Sequence, residues 1–146
     1  VIVDWGVRVD GYCADLTRVI TIGKVDSSFY PLFHIVKEAQ QLAETLIKEG
    51  IKAKEVDGAV RLFFKEKKVE RYFTHSLGHG VGIEIHEDPH LGPKSEVTLK
   101  KGMIVTVEPG IYFPDWGGIR LENLVMVQEK GNKILDSLPL MLGEEE

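Results

Sequence analysis

The chain has a single cysteine, Cys13, and so has no internal disulfide. That absence fits a reducing compartment, and a cytoplasmic location is expected. No apolar run approaches the ~20 residues that a membrane-spanning helix needs, and nothing resembles a signal peptide. No run of lysine or arginine exceeds a short pair, and the net charge is −5, so the basic footprint of a nucleic-acid binder is missing. The initiator methionine is also missing. The chain opens as Val1-Ile2-Val3, already strand-like, where natural N-termini are more often polar or loose. We therefore read it as a fragment of a longer protein. What remains is ordinary for a globular chain. It has 146 residues, 43% of them hydrophobic and 28% charged, which is enough for one domain with a real core.

Two stretches, 1–9 and 14–22, are rich in Val, Ile and Thr. They flank Asp10-Gly11, a strong hairpin signal, so Asp4 and Asp15 are expected on neighbouring antiparallel strands. Ser27 or Ser28 supplies an N-cap for an amphipathic helix that runs to about Glu49. Leu32, Ile35, Val36, Ala39, Leu42, Ala43, Leu46 and Ile47 recur there at helical spacing, and Gly50 stops it. His34 in this helix reads as an ordinary histidine. A second helix is predicted from Ala53 to Lys67, with Val56, Val60, Phe63 and Phe64 on one face. Glycine and histidine dominate 74–93, which reads as loop or strand. Residues 98–102 read as a turn. Residues 103–113 and 119–128 read as a second strand pair, joined by Pro114-Asp115-Trp116-Gly117-Gly118. Residues 129–142 add a short final hairpin strand, and 143–146 form an acidic tail.

The chemistry is concentrated in four acids and one imidazole. Asp4, Asp15, Glu108 and Glu122 each stand in or beside an apolar, β-branched stretch, where an isolated ionised carboxylate is costly without a cation. His79 lies between the two pairs, in HSLGHGVGIEIHEDP. Together they form one ligand set for two divalent ions. The single imidazole shifts the preference toward Mn, Co, Fe or Zn. Bridging carboxylates would separate two such ions, and water between them would become a nucleophile near neutral pH. A short echo, VDWGV against VEPGI, fits a fold of two related halves that each contribute two acids. Asp10, Asp26 and Asp115 read as turn chemistry. Cys13 shares strand parity with Asp15 but reads as a small buried apolar residue. His75-Ser76-Leu77-Gly78-His79 is not the helical zinc motif, because the glutamate is absent and glycines follow. Gly78 to Gly82 is not a dinucleotide loop, because no helix pattern follows it.

The segments VDWGVRVDGYCADLTRVI, HSLGHGVGIEIHEDP, VEPGIYFPDWGG and IRLENLVMV resemble the pita-bread metallopeptidases, a family that includes methionine aminopeptidase, aminopeptidase P and prolidase. GHGVGIEIHEDP followed by EPGIYFP is more similar to the X-Pro peptidases. The resemblance implies an α+β pita-bread fold, a curved antiparallel sheet covered by helices and here incomplete. Residues 1–142 would be the C-terminal part of its catalytic domain. Asp4 would chelate one metal, Asp15 and Glu122 would bridge both, and His79 and Glu108 would complete the second. Glu108 would also accept a proton. His75 and His86 would contact substrate or stabilise the tetrahedral intermediate, and His90 would contact substrate. Arg120 would support the ligand network and border the substrate. The implied activity is hydrolysis after an N-terminal residue, preferring X-Pro bonds in short peptides, by a homodimer in the intact protein. The alternatives are a methionine aminopeptidase and a non-catalytic peptide-binding module of the same fold. Elements that precede Asp4 in this family are absent, so an exposed apolar sheet face is expected.

Overall fold

The computed structural model describes residues 1–142; the acidic 143–146 segment lies outside the described residues. In chain order the elements are β1 (Ile2–Val9), β2 (Tyr12–Ile20), α1 (Phe29–Leu46), α2 (Ala53–Glu66), β3 (Gly78–Gly80), β4 (Glu87–Leu91), β5 (Ile104–Val107), β6 (Gly110–Phe113), β7 (Gly117–Arg120), β8 (Asn123–Val127), β9 (Asn132–Ile134) and β10 (Met141–Leu142). Among the described residues no helix is long and apolar enough to cross a membrane.

The first hairpin forms where the turn chemistry requires it. Asp10 and Gly11 both take positive φ, 50° and 88°, as a tight two-residue turn demands. The register then pairs Asp4 with Thr17 and Gly6 with Asp15. Partners directly opposite share a face, so Asp4, Asp15 and Thr17 point the same way.

The predicted second strand pair is not continuous. β5 pairs with β8, and β6 pairs separately with β7. Pro109 has no N–H to give a ladder, and the break falls there. Glu122 marks the matching break on the return strand. Its amide donates to Thr17 O at 3.2 Å, so it leaves its own hairpin and bridges to β2. That bridge links the three-stranded sheet β1-β2-β10 to the five-stranded sheet β4-β3-β5-β8-β9, and the Cys13 amide adds a second link by donating to Gly82 O at 2.7 Å. The final hairpin strand is also revised. β9 does pair antiparallel with β8, but β10 crosses to pair in parallel with β2.

The helices cover one side of this sheet. α1 contacts β5 and β7, and α2 contacts α1 and β4. Phe33, Val36, Ala43, Ile47, Val56, Val60 and Phe64 pack against Val105, Val107, Ile111, Ile119, Leu121 and Val125. Each large apolar side chain buried there contributes about 1.5–3 kcal/mol. Alternation along the strands does the rest. Val105, Val107, Ile119 and Leu121 face the helices, so Thr106, Glu108, Arg120 and Glu122 face away.

α1 ends at Leu46 rather than Glu49. The Asn132 amide donates to Glu44 O and to Ile47 O, satisfying carbonyls of the last turn, and the Glu49 amide has already turned to Gln128 O at 2.9 Å. Ser28 stands at the N-cap position, but its hydroxyl bonds Asp26 and makes no cap bond to the helix. Pro31 falls in the first turn, where a missing N–H costs nothing.

Candidate metal centre

The two hairpins and the strand β3 bring the predicted donors to one place. Ligand atoms of Asp4, Asp15 and Glu122 lie within 4.8 Å of one another, and so do those of His79, Glu108 and Glu122. Glu122 belongs to both groups. His79 Nε2 is 3.3 Å from Glu108 Oε1 and 3.7 Å from Asp15 Oδ2, so Asp15 also reaches the histidine side. A third group joins Asp15 and His79 to the exposed His86, whose ring centroid is 4.3 Å from that of His79.

β3 can approach this closely because it is glycine-rich. A Cβ on Gly80 would come within 2.7 Å of the Asp88 carbonyl carbon, and one on Gly78 within 2.8 Å of that of Thr106. His79 is then fixed from several sides. Its amide donates to Thr106 Oγ1 at 3.0 Å. Its Nδ1 lies 3.0 Å from Gly80 O, and a carbonyl only accepts, so Nδ1 carries the proton there. Nε2 is left aimed at the carboxylates, the arrangement of a histidine ligand with an oriented tautomer.

The electrostatics are strained without a cation. Glu122 is 2% exposed. Burial, then the nearby Glu108, Asp15 and Asp4, push its pKa up to about 8, against a hydrogen bond of 2.6 Å from Thr17 Oγ1. Asp15 is raised too, by burial first and by Asp4 next. Burial alone would lower His79. The hydrogen bond to Glu108, the Gly80 carbonyl and the acidic neighbours outweigh it and raise it. A cluster that draws in protons to relieve its own repulsion is one that divalent cations would occupy at near-neutral pH.

Around this core, each of the three Arg120 guanidinium nitrogens bonds a protein group. Nη2 reaches Asp4 Oδ2 at 2.5 Å, Nη1 donates to Tyr112 Oη at 3.0 Å, and Nε donates to Thr17 Oγ1 at 3.3 Å. Tyr112 Oη lies 2.9 Å from His75 Nε2, and His75 Nδ1 donates to Ser76 O at 2.7 Å. Both ring nitrogens of His75 are thus engaged by the protein. An open cleft of about 370 Å³ is lined by Asp4, His75, His79, His86, His90, Glu108 and Arg120. The exposed His90 sits at its border rather than among the carboxylates.

Two expectations are corrected. Asp4 is not sheltered: its side chain is 48% exposed, because β1 is an edge strand. Cys13 is not a buried apolar residue. It is partly exposed, accepts from Arg8 Nε at 3.4 Å and donates to Ile83 O at 3.4 Å. The sequence reading also passed over Thr17, Thr106 and Tyr112. Thr17 lies two residues after Asp15 on β2, and Thr106 two residues before Glu108 at the end of β5, so alternation alone would have found them.

The chain belongs to metallopeptidase family M24, whose model matches residues 1–129. Its fold is the pita-bread type. Within the family it is similar to X-Pro-directed members. It is 44% identical to an Xaa-Pro dipeptidase of Pyrococcus furiosus, over 92% of this chain and 39% of that protein. The structure of a dipeptidase from Pyrococcus horikoshii OT3 superposes with a TM-score of 0.92 at 42% identity, over 96% of this chain and 40% of that one. An X-Pro aminopeptidase from Thermotoga maritima MSB8 gives 0.94 at 40% identity, over 97% and 40%. The chain thus spans about two-fifths of the length of these relatives.

Proposed function

We propose that residues 1–142 form the C-terminal, metal-binding part of the catalytic domain of an X-Pro peptidase. It would release an N-terminal residue that precedes proline in a short peptide. The observation that carries this reading is the convergence of five donors into two groups that share Glu122. The names of the relatives support the X-Pro preference.

Asp4, Asp15 and Glu122 would hold one cation and His79, Glu108 and Glu122 the other, with Asp15 beside both. The set of one imidazole and four carboxylates suits Mn, Co, Zn or Fe. Two such ions, when bound, would supply a polarised peptide carbonyl and an acidified attacking water. The protein's own groups do the remaining work. Glu108 Oε1 accepts from Thr106 Oγ1 at 3.0 Å, which orients its carboxylate to take the proton of the attacking water. His86, exposed at the cleft beside His79, would face the developing oxyanion or give a proton to the departing proline nitrogen. His75 steadies Tyr112 at the wall of the cleft, and Arg120 holds Asp4 in place.

Turnover of an X-Pro dipeptide against a Met-Gly-type peptide, by the full natural chain supplied with Mn or Co, tests this reading. Preference for X-Pro is expected. Preference for the Met-Gly type points to a methionine aminopeptidase. Metal uptake without hydrolysis of either leaves a binding module.

A further inference from the structure

Behind the site, α2 carries an ion pair between the buried Asp57 and the partly buried Arg61 that the chemistry above does not use. Asp57 is 0% exposed and accepts from Arg61 Nε at 2.7 Å and Nη2 at 3.3 Å. Both groups then reach the chain that leads into the site. Asp57 Oδ1 accepts from Leu77 N at 3.1 Å. Arg61 Nη2 donates to His75 O at 2.6 Å, and Nη1 donates to Phe73 O at 3.3 Å. The guanidinium also stacks over the Phe73 ring, 4.5 Å from its centroid. Three alternate residues are therefore held by one pair, Phe73 and His75 by Arg61 and Leu77 by Asp57. They belong to no helix or strand.

A buried ion pair is weak evidence of stability, since apolar residues of similar volume often serve as well or better. Its particular yield is position. The bidentate geometry permits only one placement of the guanidinium, and each remaining donor then selects one carbonyl. From that placement the His75 ring meets Tyr112 Oη and, through it, Arg120 and Asp4. Leu77 O in turn accepts from Glu108 N at 2.9 Å.

We propose that the Asp57–Arg61 pair is a positioning device: it fixes the backbone at Phe73, His75 and Leu77, and so sets the His75 ring against Tyr112 and the wall of the cleft. Its kinetic consequence rests on the peptidase reading; its structural consequence does not. Displacements of about 1 Å in such supports cost on the order of 100-fold in rate.

The test uses the full natural chain with Arg61→Met, which keeps the stem and loses the fork, and Arg61→Lys, which keeps the charge but cannot span all the acceptors. In the metal-free protein, ring ¹⁵N signals of His75 should report the locked Nδ1–H tautomer. Arg61→Met should move them toward the averaged values of a free imidazole, while exposed His34 on α1 stays put. Arg61→Lys should fall between. On an X-Pro dipeptide, Arg61→Met should lower kcat/KM by about 10–100-fold, with metal affinity by calorimetry changed far less. A folded Arg61→Met protein with unmoved His75 signals overturns the proposal, and so do moved signals with undiminished kcat/KM. If Arg61→Met does not fold, Arg61→Lys is read by the same criteria. If the unaltered chain cleaves no X-Pro peptide, the peptidase reading fails and the ¹⁵N result alone decides the positioning.

Discussion

The two ribbons that supply acids look alike in sequence and differ in what stands behind them. In β1 the residues alternating with Asp4 are Trp5, Val7 and Val9, which remain 36%, 57% and 64% exposed. In β5 and β7 and at their junctions, the residues alternating with Glu108 and Glu122 are Val105, Val107, Ile119 and Leu121, all 0% exposed beneath α1 and α2. The same motif thus gives a half-exposed acid, Asp4, on one side of the site and a more buried one, Glu108, on the other. The buried side must tolerate electrostatic cost, and the exposed side supplies reach. Glu122 belongs to the expensive side, which is why removing it should be felt most.

Glu122→Ala should abolish both X-Pro turnover and calorimetric metal binding, a loss well beyond the ~10–100-fold that outer partners cost. Asp4→Ala should retain binding at the His79 side; equal loss in the two variants would erase the distinction drawn here. Leu121→Ala, behind the buried acids, should cost about 2–5 kcal/mol in chemical denaturation.

The pH response follows the same asymmetry. Glu122 holds its proton in the folded metal-free state up to about pH 8, whereas an unfolded glutamate gives it up near 4.5. Between these values the folded state binds more protons, so stability of the metal-free protein should fall as pH rises through that window. Urea midpoints at pH 5 and pH 8 should show the fall, and Glu122→Gln should flatten it. Metal uptake below pH 8 should release protons, measurable as a buffer-dependent heat.

A smaller effect is expected from Thr17→Val. It removes the hydroxyl that steadies Glu122 Oε2 and should weaken metal affinity about tenfold. Smallest of all, Val7→Thr on the exposed back of β1 should stay within about 0.5 kcal/mol. A large loss there would mean that this face is covered in solution.

Much of this was legible in local sequence. Asp10-Gly11 dictated the first hairpin, and the apolar spacing of Val36, Ala39 and Ala43 dictated α1. The acids and His79 were readable because a charge inside a β-branched stretch is anomalous by itself. The features that escaped depend on partners far along the chain. Nothing near Glu122 announces that its amide will leave its own hairpin for Thr17, and only the missing N–H of Pro109 hints at the break opposite. The parallel docking of β10 on β2 has no local signal. Neither does the grip of Arg61 on Phe73 and His75, since an i,i+4 pair with Asp57 reads as ordinary helix surface. Cys13 was misjudged because parity gives the face of a strand but not whether another layer covers it.

The bridge between Thr17 and Glu122 has an implication for how the molecule assembles. Each hairpin can close from nearby contacts, but the junction between the ribbons spans most of the chain. An ion that needs oxygens from both can be captured only after that late docking. Metal occupancy would therefore act as a stamp of completed docking between the two ribbons.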